Sequence, residues 1–426
     1  MNTIPQTDTA DPSQLAEPQR LVKHPPFIRF WLARVFSTVG YQMLALLIGW
    51  EVYALTSSAL DLGLIGLIQF VPSVILTLLV GHTADRYDRR LIMRLAQAVN
   101  LGVAAMLFIA IWTGHLSREL LFVAVFFIGT GRAFELPATQ ALVPLLVPSS
   151  LAPRAIAAWA SANQVAVISG PALGGLLFVF SPTSVAAACA LAFGAAIALV
   201  SLVAVSRPVA PREPPTFASV LAGFDYVRKR RRLLGVITLD LFVVVLGGAT
   251  ALLPIFARDI LEVGAIGLGL LRSAPAVGAL IATVILSNHP VERHIGTKMF
   301  AAVAIYGMAT TVFGLSTWFP LSLAALAVLG AADSVSVVIR FSLVQIETPD
   351  AMRGRVGAIN YLFVNSSNTL GEFESGAVAA RFGAVISVLV GGIGSLAVAA
   401  TWATLFPDLR RLDRFEPADD AGKQDA

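Results

Sequence analysis

Apolar residues run through this chain in long blocks, and polar residues gather in the gaps between them. A helix that crosses a bilayer needs roughly 20 mostly apolar residues. Twelve stretches meet or approach that length: 29–54, 60–82, 91–113, 119–146, 153–180, 184–205, 233–257, 264–287, 298–317, 321–345, 355–380 and 384–406. The gaps are short except one. Residues 206–232 hold Pro208, Pro211, Pro214 and Pro215, followed by the unbroken basic run from Arg228 to Arg232. The pattern predicts an all-α membrane protein with twelve transmembrane helices in two pseudo-symmetric six-helix bundles, 29–205 and 233–406, joined by a cytoplasmic linker at 206–232. Residues 1–28 and 407–426 read as cytoplasmic tails, the first of them disordered. The first 26 residues carry Asp8, Asp11 and Glu17 and lack the apolar core of a cleavable signal peptide.

The two halves repeat each other. Pro148, Arg154, Gly170 and Gly175 recur as Pro349, Arg355, Gly371 and Gly376, all at one offset of 201 residues. Four landmarks at a single offset predict an internal duplication, the pattern of a two-half transporter whose site lies between the halves.

Composition agrees with the blocks. Hydrophobic types make up 57% and charged types 13%, against about 25% charged in a soluble chain. The net charge of +4 raises the question of nucleic acid, and its distribution answers it. With the N-terminus inside, 23 of the 30 Lys and Arg fall in inner segments and only Arg118, Arg258 and Arg381 in outer loops. That split follows the positive-inside rule. It predicts an inner-membrane protein with both termini cytoplasmic and no nucleic-acid partner. The remaining four, Arg34, Arg132, Arg272 and Arg340, lie within spans. The single cysteine, Cys189, excludes a disulfide framework and a zinc cluster. No Gly-x-x-x-x-Gly-Lys-Ser/Thr loop is present to hold a nucleotide. The expectation is therefore a non-enzymatic protein without cofactor or metal, acting as a monomer among membrane lipids.

Several segments carry candidate chemistry. The loop after the second stretch reads Gly81-His82-Thr83-Ala84-Asp85-Arg86-Tyr87-Asp88-Arg89-Arg90. Gly81 allows close helix approach, and Asp85 at a helix end can pair with basic groups. The fifth stretch carries Gly170, Pro171, Gly174 and Gly175; Pro171 removes a backbone donor and predicts a bend. An arginine near mid-membrane needs a partner. For Arg132 that is Glu135, three residues on, and the repeat sets Asp333 at the matching place in the other half. The pair reads either as a charged site facing a central cavity or as a structural tie. In the eleventh stretch Asn365, Asn368, Glu372 and Ser375 share one stripe that lipid cannot satisfy. Glu372 lies about 25 Å along the helix from Arg355, and a buried carboxylate there can carry a proton. The alternative is an interhelix contact. Asp240 is a further membrane acid, either a second proton site or a partner for Arg34 or Arg272.

The 81–90 loop resembles the signature loop of the major facilitator superfamily, with Thr83 and Asp88 departing from the commonest pattern. In that family the residues matching Gly81, Asp85, Arg86 and Arg90 form a cytoplasmic gate, and the Gly-Pro segment marks exporters. Phe30-Trp31-Leu32-Ala33-Arg34, Gly131-Arg132-Ala133-Phe134, Arg353-Gly354-Arg355-Val356 and Leu370-Gly371-Glu372-Phe373-Glu374-Ser375-Gly376 together look like the enterobactin-exporter branch of the superfamily, over about residues 27–414. The resemblance implies a proton-driven efflux transporter for a siderophore-like metabolite or amphipathic drug. An uptake permease and a non-transporting sensor are the other two readings.

Overall fold

The computed structural model describes residues 21, 24–76, 87–204 and 217–415. They fold as helices and connecting turns, with no strand among them. The first half contributes α1 (Pro25–Thr56), α2 (Ala59–Ile75), α3 (Arg89–Trp112), α4 (Arg118–Leu142), α5 (Ala152–Leu177) and α6 (Pro182–Ser201). Then come α7 (Phe217–Lys229), α8 (Arg231–Leu246), α9 (Gly264–Asn288), α10 (Ile295–Leu315), α11 (Phe319–Ile346), α12 (Asp350–Phe382) and α13 (Ala384–Leu405).

Among the described residues nine helices are long and apolar enough to cross a membrane. They are α1, α3, α4, α6, α9, α10, α11, α13 and the span Arg231–Ile260 that begins with α8. The other three candidates each have a reason to differ. The described part of α2 is 17 residues long. Both α5, of 26 residues, and α12, of 33, are long enough, but Asn163 and Gln164 interrupt the apolar run of α5 and the Asn365–Glu374 run makes α12 polar. All three belong to the four-helix contact through which the halves meet, where polar side chains face protein and water rather than lipid.

Local sequence sets the ends. Ser58, Asp88, Ser117 and Ser181 each cap a helix N-terminus by accepting a backbone N–H. The stretch expected as one span over 233–257 is instead broken: α8 stops at Leu246, Gly248–Leu252 forms a 3₁₀ turn, and Phe256–Ile260 a π turn. Gly247, Gly248 and Pro254 supply the weak points. Likewise α4 ends at Leu142 and passes into a 3₁₀ turn containing Pro144. Within the expected linker, α7 is a regular helix packed on α12.

Packing repeats between halves. In the first, α1 packs on α5 and α6, α3 on α4 and α6, and α2 on α4. In the second, α8 packs on α12 and α13, α10 on α11 and α13, and α9 on α11. Shifting each helix of the first set by seven gives the second, as the duplicated landmarks predict. The halves meet through α5 on α9 and α2 on α12, a pair related by the same shift. The apolar core is divided unevenly. At the end remote from the arginine-rich loops, one cluster runs through both halves, from Met43 and Phe193 to Phe256 and Phe313. At the basic end each half has its own cluster: Phe27, Phe30 and Leu142 in one, Leu233, Met299 and Leu343 in the other.

Candidate substrate cavity

Two cavities open between the halves. The first, about 270 Å³, is lined by Tyr41, Gln42, Gln69 and Arg132 from the first half and by Ala251, Arg272 and Glu372 from the second. The other, about 330 Å³, is lined by Gln164 of the first half and by Tyr306, Asp333, Asn368 and Glu372 of the second. Glu372 borders both. Its side chain lies against Gly66 of α2, where an added Cβ would stand 3.0 Å from Glu372 Cβ.

The cavity charges are arranged around Glu372. The Arg132 guanidinium stacks on the Tyr41 ring, 4.0 Å from its centroid. Gln69 Nε2 donates to Tyr41 Oη at 2.8 Å, which fixes that ring. Across the cavity Arg272 Nη1 is buried and has no hydrogen-bond partner among the described residues. A buried, unsatisfied guanidinium N–H is costly unless an acceptor arrives. Two guanidinium groups and one carboxylate thus face one space.

The other charged span residues form ties inside each half. Glu135, only 7% exposed, pairs with Arg34. It also accepts from Ser37 Oγ at 3.0 Å and from Gln97 Nε2 at 2.6 Å. It therefore binds α1, α3 and α4 together rather than partnering Arg132. Asp240 pairs with Arg340 rather than with Arg34 or Arg272, because α11 is the helix that brings a guanidinium beside it. Asp333 Oδ1 lies 3.6 Å from Arg340 Nη2, with half its side chain open to the second cavity. So Asp333 and Arg132 occupy different cavities. The two ties are counterparts: each joins the first and fourth helices of its half, with the arginine on the first helix in one and on the fourth in the other. On α12 Asn365 and Asn368 donate back to Tyr361 O and Val364 O, each at 2.8 Å, and Asn368 also lines the second cavity. Ser375, on the same stripe, is buried and faces protein, beside Gly248.

The model of a family of transmembrane secretion effectors matches residues 19–422. The chain belongs to that family. Relatives include the enterobactin exporter EntS of Escherichia coli O1:K1 / APEC, 26% identical over 403 residues, covering 93% of this chain and 95% of that one. EntS of Citrobacter koseri is 26% identical over 406 residues, covering 94% and 96%. In fold the chain is similar to an inward-facing bacterial homologue of the human lysosomal transporter Spinster, with TM-score 0.74, 13% identity, and 94% and 100% of the two chains covered. It is also similar to an inward-facing bacterial homologue of the iron transporter ferroportin, with TM-score 0.69, 16% identity, and 92% and 100% covered. The protein is a membrane transporter of the major facilitator type, not an enzyme.

Other expected features of a secretion effector fall as follows. Gly81, Asp85 and Arg86 lie outside the described residues. Arg90 stays within the first half: it donates to both Asp88 oxygens, 2.8–3.2 Å, and to Val203 O at 2.9 Å. Asp88 caps α3 by accepting from Arg90 N at 2.9 Å, and these hydrogen bonds hold its carboxyl below the usual carboxylate range. The Gly-Pro segment is a packing seam. Helix α5 continues through Pro171; Gly170 and Gly174 lie on α1, and Gly175 lies against Ala265 O and Gly269 of α9. Gly63 and Gly376 make the matching seam between α2 and α12. Neither Tyr41, Gln69 nor Gln164 stood out in the sequence; the usable signal was polar side chains inside otherwise apolar spans. A last cluster ties the halves at the shared-core end. Tyr53 Oη donates to Asp259, and Arg258 Nη1 donates to Tyr53 O at 3.1 Å.

Proposed function

We propose that this protein is a secondary exporter working by alternating access, with the cavity around Glu372 as its substrate site. The observation that carries this is the uneven core: one apolar cluster joins the halves at one end, and separate clusters leave them apart at the basic end. A cavity between such halves is open to one side and sealed from the other, as rocking between two states requires.

Twelve spans in two bundles, 29–205 and 233–406, linked through 206–232, fit the repeated packing. The arginine distribution supports an inner-membrane location with both termini cytoplasmic, so that the cavity opens to the cytoplasm. Two arginines against one carboxylate favour an amphipathic solute with an acidic group, and the EntS relatives export enterobactin. A siderophore-like metabolite fits this chemistry better than a cationic drug. Glu372, shared by both cavities, is the residue assigned to proton coupling, with Asp333 beside the second cavity as its neighbour. Glu135 and Asp240 hold helices together and do not exchange protons. The transporter works as a monomer.

Reconstitution into vesicles with an imposed pH gradient tests the reading. A catecholate siderophore is expected to elicit proton flux and a macrolide much less. Glu372→Gln should abolish the dependence on the gradient. Gradient-driven movement that persists in Glu372→Gln would remove that residue from coupling, and no flux with either solute would count against the export reading.

A further inference from the structure

Helices α10 and α13 lie side by side on the second half and leave a groove of about 580 Å³ between them, away from the central cavity. Thr297, Ala301 and Ala304 line it from α10, at the spacing of one helix face; Leu396 and Ala400 line it from α13. Small side chains make the slot. Ala304 lies nine residues past the start of α10, about 13 Å along the axis. That is close to the depth of one hydrocarbon leaflet, half of about 30 Å.

The mouth of the groove, at the basic end, is formed by Arg410 and Arg411. The turn that carries them is anchored. Leu409 and Leu412 are buried in the second-half core. Gly296 N donates to Leu412 O at 2.9 Å, and Ile295 N to Asp413 O at 3.4 Å. The start of α10 can lie this close because position 296 has no Cβ to strike the carbonyls of Leu409 and Arg410. Asp413 is engaged by the backbone N of His294 at 3.0 Å and lies 3.8 Å from Arg414 Nε. Arg410 and Arg411 themselves are exposed and make no ion pair with another described residue. Lys298 adds a further exposed cation beside Thr297.

An apolar slot one leaflet deep, topped by two guanidiniums carried on an anchored turn, matches one molecule type. We propose that the groove seats a single anionic phospholipid, with an acyl chain along α10 and α13 and the phosphate on Arg410 and Arg411. A soluble phosphate would leave the slot empty, and a lipid without net charge would leave the arginine pair without its counter-charge. The site is independent of what the central cavity carries or in which direction.

Native mass spectrometry of the full chain in detergent tests this, with phosphatidylglycerol, phosphatidylcholine or glycerol phosphate added. The expected result is one phosphatidylglycerol retained per chain in preference to phosphatidylcholine. Arg410→Gln combined with Arg411→Gln should weaken that binding about thirty-fold, whereas the double Lys variant keeps it. Ala301→Phe, which fills the slot and leaves both charges, should weaken it as well. Equal retention of the two lipids by the unaltered protein would overturn the proposal. So would competition by glycerol phosphate at the same concentration as phosphatidylglycerol, tight binding to Ala301→Phe, or a dimer in place of a lipid adduct.

Discussion

At the scale of single residues, burial decides what a charge does. Arg34 and Glu135 are both nearly inaccessible, and Gln97 and Ser37 satisfy further lone pairs of the carboxylate. Removing one partner of such a pair strands a buried charge, at a cost of about 3–5 kcal/mol. Glu135→Ala is therefore expected to lower the thermal unfolding midpoint in detergent sharply, and Arg34→Gln with Glu135→Gln should recover most of the loss. A single variant melting like the unaltered protein would show the tie to be dispensable. Asp88 gives a contrasting case at the membrane edge. Its folded-state pKa lies below the unfolded value of about 3.9. Its stabilisation is therefore present above that value and lost as pH falls through the folded one. Asp88→Ala should cost about 1 kcal/mol near neutrality, mainly through the lost cap because the side chain is half exposed. Melting curves compared at neutral and strongly acid pH should show that deficit shrink in acid, where the protonated carboxyl keeps only the neutral cap. Arg272→Gln, which removes the unsatisfied cavity guanidinium, is expected to raise KM for an acidic solute at least tenfold and leave expression intact; transport assays in vesicles read this. In-span arginines and acids were legible in the sequence as needing partners. Which partner each finds was not, since Asp240 meets Arg340 a hundred residues away, and only the packing of α8 on α11 brings them together.

At the scale of elements, the seams between α5 and α9 and between α2 and α12 allow backbone against backbone. A Cβ at position 63 would stand 3.0 Å from Gly376 Cα and 3.1 Å from the carbonyl oxygens of Glu372 and Phe373. Gly63→Val is expected to push these helices apart and open the shared-core end. The measurement is thiol labelling of Ala251→Cys in the cavity by a membrane-impermeant reagent added from that side. Background is low because the only native cysteine, Cys189, is fully buried. Labelling no faster than in the Gly63 protein would mean the seam tolerates bulk. Helix positions were readable from the apolar blocks, since lipid demands internally satisfied backbone over a fixed length. Breaks were less so. The stretch 233–257 lies in a segment with the hydropathy of a span, and only the glycine pair and Pro254 hinted that its second part would leave the α-helical path.

At the scale of the whole molecule, closure at one end rests on the joint core and on the Tyr53, Arg258 and Asp259 cluster. Asp259→Ala is expected to raise the same labelling rate severalfold, because it removes a polar tie between the halves without touching the cavity. The duplication itself was visible as a constant offset, because glycines and prolines at helix seams record geometry directly. The cavity was not visible. The lining of the first cavity comes from five helices and the Gly248–Leu252 turn, and no linear motif records which side chains converge.

The reversed polarity of the two buried ties bears on how a duplicated chain finds its own partners. Each half emerges with helices shaped like those of the other, so a first helix could dock on the wrong fourth helix. In that crossed arrangement Arg34 would face Arg340, and Asp240 would face Glu135. Both encounters set like charges together where no water can screen them, while both correct encounters attract. The sign of one charge on each helix thus works as a key that lets two look-alike bundles assemble side by side without trading parts.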